Sequence, residues 1–231
     1  MANTILKSPI KFKIMKTNSE LQKDVQDEIN WAPMVELSDI GVTAKDGIIT
    51  LTGVVNSYSK KMAAENAAKR VVGVKGVAEE IEIKFGTAGK KSDADIAHSA
   101  LNAIKWDTNV SEDGIRINVE NGYVKLEGEV DWNYQKVQVE NDVKHLIGVR
   151  GVSNNITLKK TADKLEKMAV ENALDRNAYL NDEDIRVSVE DHKVTLIGCV
   201  GSWYDKDEAA RVAWSAPGVW SVDNELVVNR F

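Results

Sequence analysis

The chain has one cysteine, three prolines and three histidines among 231 residues. The lone Cys199 excludes an internal disulfide, and no base stands near it in the sequence to make a nucleophile, so we expect an edge-strand or semi-exposed thiol. His98, His145 and His192 lie far apart, with no H-E-x-x-H, C-x-x-C or phosphate-loop pattern around them. No cofactor, metal or catalytic residue is therefore expected. No apolar run has the length of a membrane span. Residues 1–14 are interrupted by Lys7, Lys11 and Lys13 and lack the unbroken apolar core of a secretory signal. The expectation is an N-terminal extension over 1–15, with Met15 as a possible working start, and a cytoplasmic location. The net charge is −6, and residues 161–231 alone hold 8 basic and 14 acidic side chains. Such a balance argues against nucleic acid as a partner.

What the chain does have is repetition. Gly47-Ile48-Ile49-Thr50-Leu51-Thr52-Gly53-Val54-Val55 returns as Gly122-Tyr123-Val124-Lys125-Leu126-Glu127-Gly128-Glu129-Val130 and again as His192-Lys193-Val194-Thr195-Leu196-Ile197-Gly198-Cys199-Val200. The closing glycines are 75 and then 70 residues apart. Period-2 alternation in each copy predicts a strand with one buried face, and a glycine inside such a strand predicts a bulge or a close backbone approach. Gly53, Gly128 and Gly198 are thus read as structural.

The flanking sequence repeats too. Thr17 and Glu20 form a capping box ahead of Leu21, Val25 and Ile29, one face of a helix ending before Pro33. Ile40, Val42 and Ala44 predict a strand, and Asp46-Gly47 a hairpin turn into the glycine strand. A second helix, starting at Ser57 or Ser59, carries Ala64, Ala68 and Val71; a third strand holds Val77, Ile81 and Ile83. In the second copy Ser92 or Asp93 caps Ile96, Ala100 and Ile104, and Asn121-Gly122 is the turn. The third copy runs through Leu165, Ala169 and Ala173 to Val222, Leu226 and Val228. The fold class is therefore α+β: three tandem small domains at 16–86, 92–160 and 161–231. Each is expected to be α-β-β-α-β, a three-stranded mixed sheet covered by two helices. Units of this size sit near the lower limit for independent folding, so contacts between them should matter.

Gly73, Gly148 and Gly218 follow the second helices and read as C-cap glycines before tight turns. The pairs Gly73/Gly76 and Gly148/Gly151 have the spacing of a nucleic-acid-clamping G-x-x-G loop, but such a loop joins two helices and these join helix to strand. Lys60, Lys61, Lys69 and Arg70 are candidate lipid-headgroup contacts, against a solvated ladder through Lys61, Glu65 and Lys69. Trp31 and Trp106 share one repeat position and are expected to cover the end of the first helix. Trp214 and Trp220 stand where the sister repeats carry Lys69 and Lys144, and Lys75 and Arg150. Positions that accept Lys or Arg are normally open to solvent, so an exposed aromatic face of Trp203, Trp214 and Trp220 is expected on the third repeat.

The V-x-L-x-G-x-V strand and the helix leading into Val72-Gly73-Val74-Lys75-Gly76-Val77 and Ile147-Gly148-Val149-Arg150-Gly151-Val152 resemble the BON-domain family of bacteria; Pro217-Gly218-Val219-Trp220-Ser221-Val222 is a degenerate third copy. The resemblance implies a non-enzymatic, stress-associated module attaching to phospholipid surfaces, with no catalytic residues to carry over, and a periplasmic alternative for its location. The rival expectation is a soluble scaffold or self-associating protein that uses the tryptophan face of the third repeat.

Overall fold

A computed structural model describes residues 16–33, 39–86, 90–108, 114–159, 167–177, 180 and 184–228. The N-terminal extension and Leu165 lie outside them. Each repeat has the expected order. Repeat 1 comprises α1 (Asn18–Asn30), β1 (Ile40–Lys45), β2 (Ile48–Val55), α2 (Tyr58–Arg70) and β3 (Gly76–Ile83). Repeat 2 comprises α3 (Asp93–Trp106), β4 (Ile115–Glu120), β5 (Tyr123–Val130), α4 (Asn133–Lys144) and β6 (Gly151–Leu158). Repeat 3 comprises α5 (Lys167–Asp175), β7 (Asp184–Glu190), β8 (Lys193–Val200), α6 (Trp203–Trp214) and β9 (Ser221–Val228).

In every sheet the glycine strand is central: antiparallel to the strand before it and parallel to the one after it. The parallel pair requires the crossover that α2, α4 and α6 supply. Both helices of a unit pack on one sheet face, over Leu51, Leu126 and Leu196, each wholly buried.

The central glycines explain themselves. Gly53, Gly128 and Gly198 have φ of 138°, 138° and 141°. A Cβ there would stand 1.9, 2.0 and 1.8 Å from the carbonyl oxygens of Asp39, Gly114 and Asp184. The expected close approach of backbone to backbone is present in all three units.

Local chemistry sets the helix starts. The Thr17–Glu20 box closes with 2.8 and 3.2 Å bonds. Ser57 rather than Ser59 caps α2, and Ser92 rather than Asp93 caps α3. Asp93 is left to accept from the amides of Asn121 and Gly122 at 2.8 Å, tying the hairpin turn to α3; Asn18 ties the Asp46 amide to α1 in the same way. One face differs from expectation: α5 buries Val170 and Leu174, with Ala169 exposed, because the larger side chains bury more apolar area than the alanines.

Candidate functional site

The residues singled out from the sequence fall in three places. On α2, the expected ladder is only partly formed. Lys69 pairs with Glu65 at 2.9 Å, but Lys61 turns to Glu79 at 2.6 Å and donates to the Ile81 carbonyl at 3.1 Å. Arg70 reaches across to Glu28 on α1 at 2.8 Å. Three of the four candidate headgroup contacts are thus engaged in ion pairs.

The Lys61 arrangement recurs at Lys206, which like Lys61 stands eight residues after the central glycine of its repeat. Lys206 donates to the Leu226 carbonyl at 2.7 Å, while Asn224 accepts from the Leu226 amide and donates to the Lys206 carbonyl. Asn154 joins β6 to α4 in the same manner. Lys61 and Lys206 fasten the second helix to the third strand in repeats 1 and 3. Lys136 is half-buried, and that burial lowers its pKa against the opposing pull of Glu140.

The tryptophans exchange roles. Trp31 and Trp106, expected in the core, are each 84% exposed at the C-terminal ends of α1 and α3. Those helices are already closed by Ile29 and Ile104, so the indoles find no space inside. The expected open aromatic face of repeat 3 is instead half-buried. Trp214 packs on its own core, and Trp220 stacks on His192 with centroids 3.6 Å apart and planes 9° from parallel. The Lys and Arg of the sister repeats misled because their stems cover the turn while their heads reach water. Carbons of Lys75 lie 2.9 Å from where a Gly47 Cβ would be. Trp220 covers the same turn. Trp203 packs against the core of repeat 1, with Lys206 of its own repeat over the ring.

A second contact between units brings repeats 1 and 2 together. The first turn of α2 docks on repeat 2: Tyr58 packs against its core, and Ser59 Oγ meets the Lys144 carbonyl at 3.1 Å and His145 Nδ1 at 2.8 Å. Burial raises the Tyr58 hydroxyl pKa, offset by a hydrogen bond with the Val152 backbone. Arg150 adds a 3.3 Å bond to the Ile83 carbonyl and lies over the Phe85 ring. Repeat 1 therefore touches both of the others.

Among the described residues, no three His, Cys, Asp or Glu side chains converge in a manner that could hold a metal ion. No described helix is long and apolar enough to cross a membrane. Cys199 is free and exposed on β8, the central strand rather than an edge one. The clefts between elements are open and mixed in lining. One of about 720 Å³ runs past Lys90, Lys91, Asp93 and Arg150.

Three tandem α+β units with glycine-pinned central strands define a repeat module. The BON-domain profile matches residues 17–84, 92–160 and 163–230, and the chain belongs to the BON-domain family. It is 28% identical over 129 residues to osmotically-inducible protein Y of Escherichia coli K12. That match covers 54% of this chain and 64% of the relative, just under two thirds of its length. Two solved structures of CdsD, described as a structural protein of the type III secretion system of Chlamydia trachomatis, align over 89% and 93% of this chain and 90% and 100% of theirs. Their identities are 16% and 15% and their TM-scores 0.26 and 0.25, too low to bear on fold or function.

Proposed function

We propose that this protein is a non-enzymatic, stress-associated module that attaches to phospholipid surfaces, and that Trp31 and Trp106 make the attachment. The observation that carries this reading is their shared position: two indoles, each 84% exposed, at the same place in successive repeats. A soluble fold gains nothing from holding two such side chains in water, whereas an indole is favoured at a membrane–water interface. The ion pairs on α2 make it a weak electrostatic contact, since Lys61, Lys69 and Arg70 already face carboxylates. Binding should therefore depend little on salt.

Cosedimentation with neutral and with anionic phosphatidyl vesicles at low and high salt tests this. We expect binding to both vesicle types, reduced at least about fivefold in Trp31→Ala/Trp106→Ala, a loss of roughly 1 kcal/mol. Binding to neither vesicle by the intact chain overturns the reading. Binding only to anionic vesicles at low salt, unchanged in the double variant, returns the contact to α2 and its lysines.

A further inference from the structure

Each sheet ends in its third strand, and an edge strand offers its unpaired amides and carbonyls to any other chain. In a parallel pair only alternate residues bond a given neighbour. The amides of Lys84 and Lys159 bond the Val55 and Val130 carbonyls at 2.8 Å. Ile81 and Ile83 of β3, and Val152 and Ile156 of β6, therefore turn their backbone groups outward. So does Leu226 of β9, which stands opposite its central glycine as Ile81 and Ile156 stand opposite theirs.

Repeats 1 and 3 close this edge from within. Glu79 accepts from the Ile81 amide and Asn224 from the Leu226 amide, while Lys61 and Lys206 donate to the two carbonyls. Acids also stand on the face of these strands turned away from the helices: Glu80 and Glu82 in β3, Asp223 and Glu225 in β9. Like charges set opposite one another oppose pairing with a second copy.

Repeat 2 is guarded differently. Asn154 accepts from the Ile156 amide, but β6 holds no charged residue, and Asn155 stands where the sister strands have Glu80 and Glu225. Its edge is covered from outside instead. Tyr58 of repeat 1 packs against the repeat 2 core beside Val152, and Ser59 holds that turn to the Lys144 carbonyl. In return Arg150 of repeat 2 donates to the outward Ile83 carbonyl of repeat 1.

We propose that the docking of repeat 1 is the edge guard of repeat 2: with the joint closed the chain stays monomeric, and with it open β6 pairs antiparallel with β6 of a second copy. The strand itself names the occupant. A two-fold axis at Asn155 sets Val152 opposite Leu158 and Asn154 opposite Ile156, an uncharged run against its own image. The Asn154 side chain then yields the Ile156 amide to the incoming backbone. Such a contact is isologous and uses up the edge, so it stops at a dimer.

Sedimentation velocity and small-angle scattering of the full chain without lipid test this separately from the membrane reading. The intact 25.5 kDa protein should be a monomer at every concentration. Tyr58→Asp sets a carboxylate against the apolar residues of repeat 2, at the first position of α2, where an acid suits the helix. It should enlarge the radius of gyration, leave the far-ultraviolet circular dichroism spectrum unchanged and give a concentration-dependent dimer. Tyr58→Ser removes the ring without adding a charge and should do the same at higher concentration. Adding Asn155→Glu to either should weaken the dimer about fivefold, because the two acids would meet at the axis. Aggregation of misfolded chains would be indifferent to that one exposed acid. The proposal is overturned if the intact chain dimerises as strongly as the variants, if both Tyr58 variants stay monomeric, if the species grow beyond a dimer, or if Asn155→Glu leaves the association unchanged.

Discussion

Repeats 1 and 2 build the hairpin turn one way and repeat 3 builds it another. In the first two, both central residues have positive φ: Asp46 and Gly47 at 53° and 85°, Asn121 and Gly122 at 52° and 81°. A long basic side chain, Lys75 or Arg150, then lies across the glycine. In repeat 3 only Asp191 keeps the positive φ, at 53°. His192 takes the second place without entering the left-handed region, its Nδ1 is 2.7 Å from the Gly218 carbonyl, and Trp220 stacks on its ring. All three turns keep the backbone bond that brings in the third strand, from Lys75, Arg150 and Trp220 to residues 47, 122 and 192 at 2.8 to 2.9 Å. The hydrogen bond is what the fold requires; the cover over the turn is exchangeable, provided both partners change.

The sharpest test of that shared frame is a methyl group on the central strand. Gly53→Ala, Gly128→Ala and Gly198→Ala each place a Cβ within 2.0 Å of a carbonyl oxygen of the preceding strand. Each should destabilise its unit by at least about 3 kcal/mol, since backbone must move at a positive φ. Thermal unfolding followed by circular dichroism reads this, and a third repeat that tolerates the change would break the equivalence of the three sheets.

Next in size is an exchange of turns. Gly122→His puts a Cβ at φ 81°, 2.8 Å from the Gly148 carbonyl oxygen, and should cost about 1–3 kcal/mol. Adding Arg150→Trp should recover about 1 kcal/mol of that through the ring stack. His192→Gly should cost only about 0.5–1.5 kcal/mol, the worth of the stack itself. Equal losses from Gly122→His and His192→Gly would mean that the backbone difference between the turns is immaterial.

The order of elements was legible because the repeat multiplies each weak signal by three. Alternation around Leu51, Leu126 and Leu196 and capping residues such as Thr17 and Ser92 depend on the chain immediately around them. The surface was less legible, for the opposite reason. Whether Trp31 or Trp214 is covered depends on how much space the adjoining helix leaves, which no single position states. Lys61 and Lys206 were hidden as ordinary helix charges; their partners lie twenty residues further on, as strand carbonyls with no sequence signature. Trp203 was visible as an oddity, but its binding site belongs to a repeat more than a hundred residues away.

The smallest effect concerns a difference within the second helices. Ala67 in α2 and Val212 in α6, fourteen residues after their glycines, are 0% and 7% exposed. Repeat 2 has Asp142 there, its Oδ2 buried and its carboxyl set against that of Asp107. Burial, followed by the charge of Asp107 at the end of α3, raises the Asp142 pKa above its ordinary 3.8. A raised folded-state pKa means that folding favours the protonated acid. The contribution to stability is then complete below about pH 3.8 and disappears as pH rises through the folded value, leaving a penalty at neutrality. Asp142→Asn keeps the shape and can retain the Gln138 bond while removing the charge. At pH 7 it should stabilise the chain by about 1 kcal/mol at most, or raise Tm by about 2–4 °C. Below pH 3.8 the gain should vanish, because the native carboxyl is then neutral as well. A gain that is the same at both pH values would assign the effect to packing, and would make repeat 2 a poorer fit at this position for reasons of shape rather than charge.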